Sequence, residues 1–492
     1  MPAIGIGLLA ALGPLLRGAW DLWAQTFVFC LCIFLAALWL GARVADGYLP
    51  LPPKKILLWS AALIAVAGLA AFLSPVRFYS LPAWRDLTLG LAVFPCLSLV
   101  PRRGRERLDQ AVRAAAWLAA ALAFYQHFKQ GAASPTGPFP NKNLMAAAVL
   151  LWLGAAWETS DWLLAAALLL VLFLDRSVGA WLSLAAALAL CRKNIPKAAQ
   201  IAGAVVAVFA LGALALKLQS PDAVHRWQWW SAAAHMLRDK PLLGYGPGSF
   251  AYVFPAYRKP GDPLGSLYAH NYFLEIAAGC GLLYALLWLA GILSFLPRAS
   301  APKRFAVSAL LIQSLWDYPL SIPALFWLFC LFAADGVPEP ARGANIPGRW
   351  KIPAFAAVLV LAWSLESGAW ALFRADQWEA RAVAAAKNGA RPDAVRDLLR
   401  RSEHSAPDPE TEELLAALTL ASAPGPRLSP ADSAAALDAL KKAAALNPYR
   451  CETWNLMIRL EETRGAAGAA AADFRRALAY CPRLRENQSG RP

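Results

Sequence analysis

Residues 22–40 read LWAQTFVFCLCIFLAALWL, an uncharged and almost wholly apolar run that decides the class of fold. Its length approaches the ~20 residues that an α-helix needs to cross the hydrocarbon core of a bilayer. Comparable runs recur at 56–73 and 201–216. We therefore expect several helices that span a membrane.

The composition agrees with a membrane protein. The chain has 492 residues, of which 59% are hydrophobic and 16% are charged, whereas soluble domains carry about 25% charged residues. The apolar stretch at 4–16 follows no basic segment and precedes no convincing cleavage site. We therefore interpret it as a retained first span rather than a signal peptide.

Hydropathy divides the chain into about thirteen apolar segments, followed by a polar carboxyl-terminal region. The approximate bounds of these segments are 3–16, 22–41, 55–73, 87–100, 112–128, 143–157, 161–174, 177–191, 198–217, 272–296, 304–319, 321–335 and 353–373. The predicted fold is all-α: a polytopic bundle of about 12–13 transmembrane helices over residues 1–373, followed by a helical repeat domain over 374–492.

The net charge of +15 is distributed in a way that favours a membrane over nucleic acid. Basic residues cluster in alternate loops, at 102–107, 192–197, 298–304 and 342–351. Cytoplasmic loops are typically enriched in Lys and Arg, and no RNA-binding motif accompanies these clusters, so we expect no nucleic-acid partner. The opposite face then receives 74–86, 129–142, the outer loop 218–270, the turns at 175–176 and 316–319, and the carboxyl-terminal region.

The region after residue 374 has the pattern of a helical repeat. A 34-residue spacing typical of tetratricopeptide repeats is readable in two successive units. The matching positions are Ala436, Leu440, Ala443 and Pro448 in one unit, and Trp454, Ala470, Phe474, Ala477 and Pro482 in the next. Such a domain either binds a protein partner or packs on the membrane domain. Cys451 and Cys481 flank a predicted helix pair, and we hypothesise that they form a disulfide in an oxidising compartment.

Several polar residues at membrane boundaries lie on the face opposite the basic loops. Arg176 separates two apolar spans with almost no loop. An arginine there can simply extend to lipid headgroups, but ionisable groups at membrane depth tend to be functional. Asn141 and Asn143 precede another span; they are either candidate site residues or a simple helix start with Asn143 as the N-cap.

The interval 218–270 holds the strongest candidates. Arg226 begins the stretch Arg226-Trp-Gln-Trp-Trp230, which resembles an amphipathic helix at a membrane interface. Its guanidinium suits a phosphate group, although it could equally be an ordinary basic residue of such a helix. The stretch Gly244-Tyr-Gly246-Pro-Gly248 predicts a turn with positive φ angles.

His270 ends this interval and is one of only five histidines. A histidine near a helix start is often structural, but its near-neutral intrinsic pKa makes it the best available proton acceptor. Asn271 follows it, and Glu275, five residues on, is placed to orient the loop instead of accepting the proton. Asp317 could cap the next helix, or hold His270 or an arginine. No metal-binding pattern occurs among these residues, so we expect neither a metal nor another cofactor.

Taken in order, these stretches resemble the O-antigen ligase and polymerase superfamily of bacterial membrane glycosyltransferases. The resemblance covers residues of about 130–335. The matching stretches are Thr136-Gly-Pro-Phe-Pro-Asn141-Lys-Asn143, Arg176-Ser-Val-Gly179, Arg226 with Trp230, Asp239 to Phe250, Ala269-His270-Asn271-Tyr-Phe-Leu-Glu275, Gly279-Cys-Gly281-Leu-Leu and Asp317-Tyr-Pro-Leu-Ser-Ile-Pro323.

The resemblance implies a C-type glycosyltransferase fold that acts on an undecaprenyl-diphosphate-linked glycan at the periplasmic face of the bacterial inner membrane. It implies that Arg176 and Arg226 hold the diphosphate and that His270 is the catalytic base. The acceptor stays open among a lipid A-core sugar, a second lipid-linked glycan and a protein hydroxyl.

Two functions of other classes also remain open. A transporter with a helical docking domain would show polar residues near the midplane and two pseudo-repeated halves, whereas the polar residues here gather at one surface. A membrane-anchored scaffold would leave those residues without a role.

Overall fold

The computed structural model describes residues 2–194, 197–217, 221–258, 265–340, 342–422 and 429–485. Through the bundle, the α-helices are Pro2–Gly7, Gly13–Leu15, Leu22–Asp46, Lys54–Phe72, Arg77–Ser98, Arg102–Phe128, Lys142–Glu158, Trp162–Asp175, Val178–Leu190, Lys197–Lys217, Pro221–Asp239, Phe250–Val253, Tyr272–Cys280, Leu282–Phe295, Ala301–Gln313 and Pro323–Ala333. The carboxyl-terminal α-helices are Gly348–Lys387, Pro392–Ser405, Pro409–Ala421, Pro430–Leu446, Cys451–Thr463 and Ala467–Ala477. The predicted all-α membrane bundle is confirmed.

Short helical turns and one small sheet complete the described structure. A π-helical turn covers Leu8–Leu12, and 3₁₀ turns cover Arg17–Ala19, Arg192–Asn194, Phe254–Ala256, Leu296–Arg298, Pro319–Ser321, Ala334–Gly336 and Pro482–Arg485. The strands Tyr48–Leu51 and Arg342–Asn345 pair antiparallel, with Tyr48 opposite Asn345. The sequence analysis did not predict this sheet.

The bundle has a layer of fully buried helices at its centre and an apolar outer surface. Residues 144–156 of the helix Lys142–Glu158 are all buried, as is the whole helix Pro323–Ala333. Peripheral helices instead leave large apolar side chains such as Phe209 and Trp363 at the surface, which soluble proteins rarely do over wide areas. By length and composition, the helices Leu22–Asp46, Lys54–Phe72 and Gly348–Lys387 can each cross a membrane.

Several predicted spans differ from the observed helices. The predicted 87–100 and 112–128 belong to the longer helices Arg77–Ser98 and Arg102–Phe128, and the predicted 304–319 ends at Gln313. The segment 3–16 is interrupted by the π turn Leu8–Leu12. The segment 272–296 is broken at Gly281, whose φ is +89° and whose missing side chain leaves room for the carbonyl of Leu242. The segment 353–373 lies inside Gly348–Lys387, a continuous helix that carries the chain from the bundle into the carboxyl-terminal region, for which the repeats stay a prediction.

Contacts between loops fall into two sets at opposite ends of the bundle. At one end the strand pair joins two loops, and the Lys303 ammonium lies 3.1 Å from Asp109 and 3.0 Å from Asp335. At the other end Ser74 Oγ donates to the carbonyl of Tyr245 at 2.7 Å. In the first set, the segments at 298–304 and 342–351 were predicted to be cytoplasmic, whereas no side was predicted for 48–51. Both segments in the second set were predicted to lie on the opposite face.

The carboxyl-terminal helices pack consecutively against one another. Ala436, Leu440 and Ala443 are buried on one helix of this stack, which agrees with their predicted packing positions. Cys451 and Cys481 form a disulfide, with their Cα atoms 5.5 Å apart. The predicted disulfide is therefore confirmed.

Candidate active site

The turn Ser314–Tyr318 is the point where the candidate residues meet. It follows the helix Ala301–Gln313, and carbonyl groups at such a helix end lack intrahelical partners. The Asn271 amide donates to the carbonyl of Leu315 at 2.9 Å, and the backbone N–H of Tyr272 donates to Ser314 at 3.0 Å. Residues Ser314–Tyr318 are called the 314–318 turn.

Arg226 reaches the same turn from the helix Pro221–Asp239, which confirms the helix predicted for this stretch. A guanidinium nitrogen of Arg226 donates to the carbonyl of Trp316. A guanidinium has five N–H donors, so this contact positions the group without using up its capacity to bind an anion.

His270 lies within a cage of aromatic rings beside Asp317. Its ring stacks on Trp229, with centroids 4.8 Å apart and an angle of 23° between the planes, and meets Tyr318 edge-on at 4.8 Å. Its Nδ1 atom lies 3.2 Å from Asp317 Oδ1, but without the alignment of a hydrogen bond. Its carbonyl accepts a hydrogen bond from Trp230 Nε1 at 3.1 Å. The imidazole is therefore held from both sides while Asp317 faces one of its nitrogens.

Asn271 and Glu275 hold the chain that carries His270. Asn271 is the N-cap of the helix Tyr272–Cys280 and accepts from the N–H of Leu274 at 3.0 Å. Glu275 accepts from the N–H of Ala269 at 2.8 Å through one oxygen and from Ser321 Oγ at 2.6 Å through the other. Of the two roles considered for Glu275, orienting the loop is the one that these contacts favour.

Asn141 joins the cluster through Tyr318. It caps the helix Lys142–Glu158 by accepting from the N–H of Leu144 at 3.1 Å, and its amide donates to the Tyr318 hydroxyl at 2.8 Å. Burial raises the pKa of Tyr318 to about 12, so this hydroxyl is a neutral phenol at neutral pH. Asn143 is therefore not the N-cap, and its side chain has no polar contact with any residue that the structure describes.

Arg176 lies near this cluster without touching Arg226. It ends the helix Trp162–Asp175 with φ at +55°, and its exposed side chain has no polar partner in the described part of the chain. Three residues later, Gly179 packs against the Trp316 indole: a Cβ at this glycine would lie 2.5 Å from the indole nitrogen. The backbone after Arg176 thus contacts the 314–318 turn while its guanidinium stays at the surface.

The glycine-rich stretch forms a supporting turn at a different place. Gly244, Gly246 and Gly248 all have positive φ, as predicted. The N–H groups of Tyr245 and Gly246 donate to carbonyl groups at the end of the helix Tyr272–Cys280, at 2.9 and 2.7 Å. This turn therefore fixes the helix that carries Glu275 rather than reaching His270.

The structure brings six of the eight candidate residues into one connected set. These are Asn141, Arg226, His270, Asn271, Glu275 and Asp317. The sequence analysis did not single out Trp229 or Tyr318 as site residues. Trp229 could have been found, because it lies one helical turn after Arg226 and so shares a face with it.

The comparison with protein families gives the class to which this site is similar. A family described as O-Antigen ligase matches residues 163–289, about a quarter of the chain. The matched segment includes Arg176, Arg226, His270, Asn271 and Glu275. No curated protein matches the chain.

The membrane bundle and the family match together support glycosyl transfer of the O-antigen ligase or polymerase type. This is a class of membrane enzyme that works on lipid-linked glycans and an acceptor.

Proposed function

We propose that this protein transfers a glycan from an undecaprenyl-diphosphate-linked donor to an acceptor hydroxyl. The observation that carries the proposal is the convergence of Arg226, His270 and Asp317 on the 314–318 turn. A fixed cation, an imidazole and a carboxylate then lie at one end of a membrane bundle, where a lipid-linked substrate would present its diphosphate.

Arg226 and Arg176 bind the donor diphosphate in this proposal. Arginine forks pair with phosphate oxygens through two parallel hydrogen bonds and keep their charge in poorly hydrated surroundings. Arg226 is already oriented by the Trp316 carbonyl, whereas Arg176 is exposed and free to move toward the ligand. Neutralising the diphosphate stabilises the negative charge that the leaving group develops.

His270 acts as the general base. Asp317 faces Nδ1, which favours the tautomer that carries its proton there and leaves Nε2 as the acceptor. Catalytic hydrogen bonds often tighten only when substrate binds, so the imperfect alignment of this pair is compatible with the role. Nε2 takes the acceptor hydroxyl proton, the acceptor oxygen bonds to the anomeric carbon, and the bond from that carbon to the phosphate oxygen breaks. Undecaprenyl diphosphate leaves.

We assign this site to the periplasmic face of the bacterial inner membrane and the repeat domain, 374–492, to the same side. The basic clusters of the opposite loops support this orientation, and the Cys451–Cys481 disulfide fits an oxidising compartment. The acceptor is a lipid A-core sugar if the enzyme is a ligase. A second lipid-linked glycan would make it a polymerase, and a serine or threonine of a protein would make it an oligosaccharyltransferase.

Transfer in a purified system tests the proposal. The protein in lipid nanodiscs is incubated with a lipid-linked oligosaccharide and each acceptor class in turn, and release of undecaprenyl diphosphate is followed with formation of product. Because a general base contributes roughly 10²–10⁴-fold in rate, His270→Ala should lose transfer to that extent. His235→Ala is the matched control, since His235 is an exposed histidine on the helix of Arg226.

A parallel pair tests the donor side. Arg226→Ala should raise the KM for the lipid-linked donor, while Arg238→Ala, an exposed arginine on the same helix, should not. Normal transfer by the His270 variant would remove the base from the mechanism. Movement of the donor across the bilayer without a new glycosidic bond would instead support the transporter.

A further inference from the structure

Two cavities meet beside the proposed catalytic cluster. The first has a volume of about 450 Å³ and is bounded by Tyr268 and Glu275. The second has a volume of about 580 Å³ and is bounded by Tyr449 and Arg450 of the repeat region. Ala251 and Tyr252 line both cavities, so one groove leads from the bundle to the repeat region.

The first cavity reaches the proposed site through Tyr268 and Glu275, while His270 and Arg226 lie behind the residues that line it. Tyr268 lines it and stacks face to face on Tyr318, with ring centroids 4.2 Å apart. The edge of the Tyr318 ring meets the His270 ring, whose other contact is Trp229 on the helix that carries Arg226. A series of ring contacts thus leads from the first cavity through Tyr268 and Tyr318 to His270.

The repeat region contributes part of the groove wall. The Tyr79 hydroxyl and a guanidinium nitrogen of Arg450 both donate to the same oxygen of Glu410, the second at 2.8 Å. Tyr79 also stacks on Tyr252, with an angle of 9° between the rings. These contacts tie the repeat region to the bundle at the point where the two cavities meet.

The chemistry of the walls is that of a carbohydrate site. Tyrosine rings offer flat apolar faces with a polar edge, and carboxylates and amides accept or donate hydrogen bonds to hydroxyl groups. The first cavity adds Asp86 and Asp376 to its tyrosines, and the second adds Asn447 and Glu452. A separate cavity between the helices Leu22–Asp46 and Arg77–Ser98 is almost wholly apolar and would suit lipid chains. The groove differs from it by its carboxylates, amide and tyrosines.

We propose that this groove binds an acceptor glycan several sugars long, with its reacting end at the first cavity and its distal sugars against Tyr449 and Glu452. The inference rests on the proposed transferase function and adds to it the acceptor class: a carbohydrate chain rather than a protein. It also gives the carboxyl-terminal helices a part in substrate binding.

A large side chain at the junction of the two cavities tests whether the groove binds a glycan, and it leaves the catalytic cluster unchanged. Ala251 lines both cavities, so the indole of Ala251→Trp would fill their junction. Ala234→Trp is the control, because Ala234 is an exposed alanine of the preceding helix. The probes are fluorescent oligosaccharides of increasing length, released from the surface polysaccharide of the source cells. Their affinity is measured by fluorescence anisotropy on nanodisc protein carrying His270→Ala, so that no turnover is needed.

We expect longer probes to bind more tightly than single sugars, and Ala251→Trp to weaken the long probes roughly tenfold or more while Ala234→Trp does not. Asp376→Asn provides a second variant, because Asp376 is exposed and its replacement does not disturb the core; Asp393→Asn is its control. We expect it to weaken the same probes severalfold.

Three results would overturn the inference: affinity that does not depend on length, equal binding by the Ala251 and Ala234 variants, or preferential binding of labelled serine- and threonine-rich peptides at the groove. Because binding is read without chemistry, a failure here differs from the absence of transfer by the wild-type protein, which would refute the proposed function instead.

Discussion

Glu275 provides the sharpest test of how His270 is held. Its two carboxylate oxygens accept one hydrogen bond each, from the N–H of Ala269 and from Ser321 Oγ, and the side chain is buried. In Glu275→Ala both donors lose their acceptor. A buried donor without an acceptor costs about 1–3 kcal/mol, and the N–H of Ala269 is adjacent to a residue with φ at +52°. We therefore expect the free energy that keeps the loop 266–271 closed to fall by about 1–3 kcal/mol.

The kinetic consequence follows from the same free energy. If the catalytic arrangement requires the closed loop, a loss of about 1–3 kcal/mol lowers kcat by roughly 5- to 150-fold. The KM for the donor should change little, because Arg226 is held by the 314–318 turn instead. Ser321→Ala leaves the N–H of Ala269 paired, so the loop should stay closed, but the buried carboxylate loses a hydrogen bond worth about 1.5–3 kcal/mol for a charged group.

Hydrogen exchange of the loop amides and the kinetics of glycan transfer together test this prediction. The amides of 266–271 should exchange faster in Glu275→Ala, and Glu275→Gln should recover part of the protection because its carbonyl oxygen still accepts. A shifted pH profile in Glu275→Gln with normal loop protection would mean that Glu275 transfers protons itself. Unchanged exchange and a rate within twofold of wild type in the alanine variant would refute the positioning argument.

Three further predictions concern other contacts. Replacing both Cys451 and Cys481 by Ser should destabilise the repeat region by about 3.6 kcal/mol in the loop-entropy model, since the bond closes a loop with a sequence separation of 30. Denaturant unfolding of the wild type with and without reductant, and of the double variant, measures this loss. Equal unfolding midpoints for the oxidised wild type and the double variant would contradict it. Gly179→Ala should lose about 1–3 kcal/mol and part of the activity, because its methyl group would overlap a buried indole; Gly212→Ala, with no described atom within 4 Å of the added methyl, should be neutral or stabilising in thermal unfolding. Tyr79→Phe should loosen the contact between the repeat region and the bundle by about 1.5–3 kcal/mol, because it removes a hydrogen bond to a charged group; limited proteolysis compares it with Tyr125→Phe, an exposed tyrosine, and equal cleavage would argue against it.

The sequence predicted those parts of the structure that depend on local patterns. Apolar runs predicted the bundle, because a helix that crosses lipid can expose few polar groups there. The clusters of basic residues in alternate loops are a separate pattern, typical of cytoplasmic loops, and the side on which each loop lies stays a prediction. The positive φ angles of Gly244, Gly246 and Gly248 were likewise predicted from residue type alone.

Other features depend on contacts between distant segments, which no local pattern contains. The break at Gly281 exists because the carbonyl of Leu242 lies where a side chain would be. The cap of the helix Lys142–Glu158 is Asn141 rather than Asn143, because Asn141 also binds Tyr318, nearly two hundred positions away. The pairing of Tyr48–Leu51 with Arg342–Asn345 is of the same kind.

The site was partly predictable for the same reason. The residue types and their order indicated His270, Arg226 and Asp317 as candidates, but only the folded chain shows that the 314–318 turn joins them. Tyr318 was not singled out because a lone tyrosine in a turn gives no local signal of its contacts with Asn141, Tyr268 and His270.

The left-handed backbone at Arg176 and His270 has a consequence for how this chain can change. Most residues with a Cβ are disfavoured there by roughly 1–2 kcal/mol, whereas glycine has no Cβ and asparagine can hydrogen-bond locally, so these two residues would fit both positions better. Engineering for heat tolerance would therefore be drawn to replace these two residues, and such gains commonly trade against activity at strained sites. A library selected for robustness alone should drift toward glycine or asparagine at both positions, whereas one selected for glycan assembly should retain the arginine and the histidine.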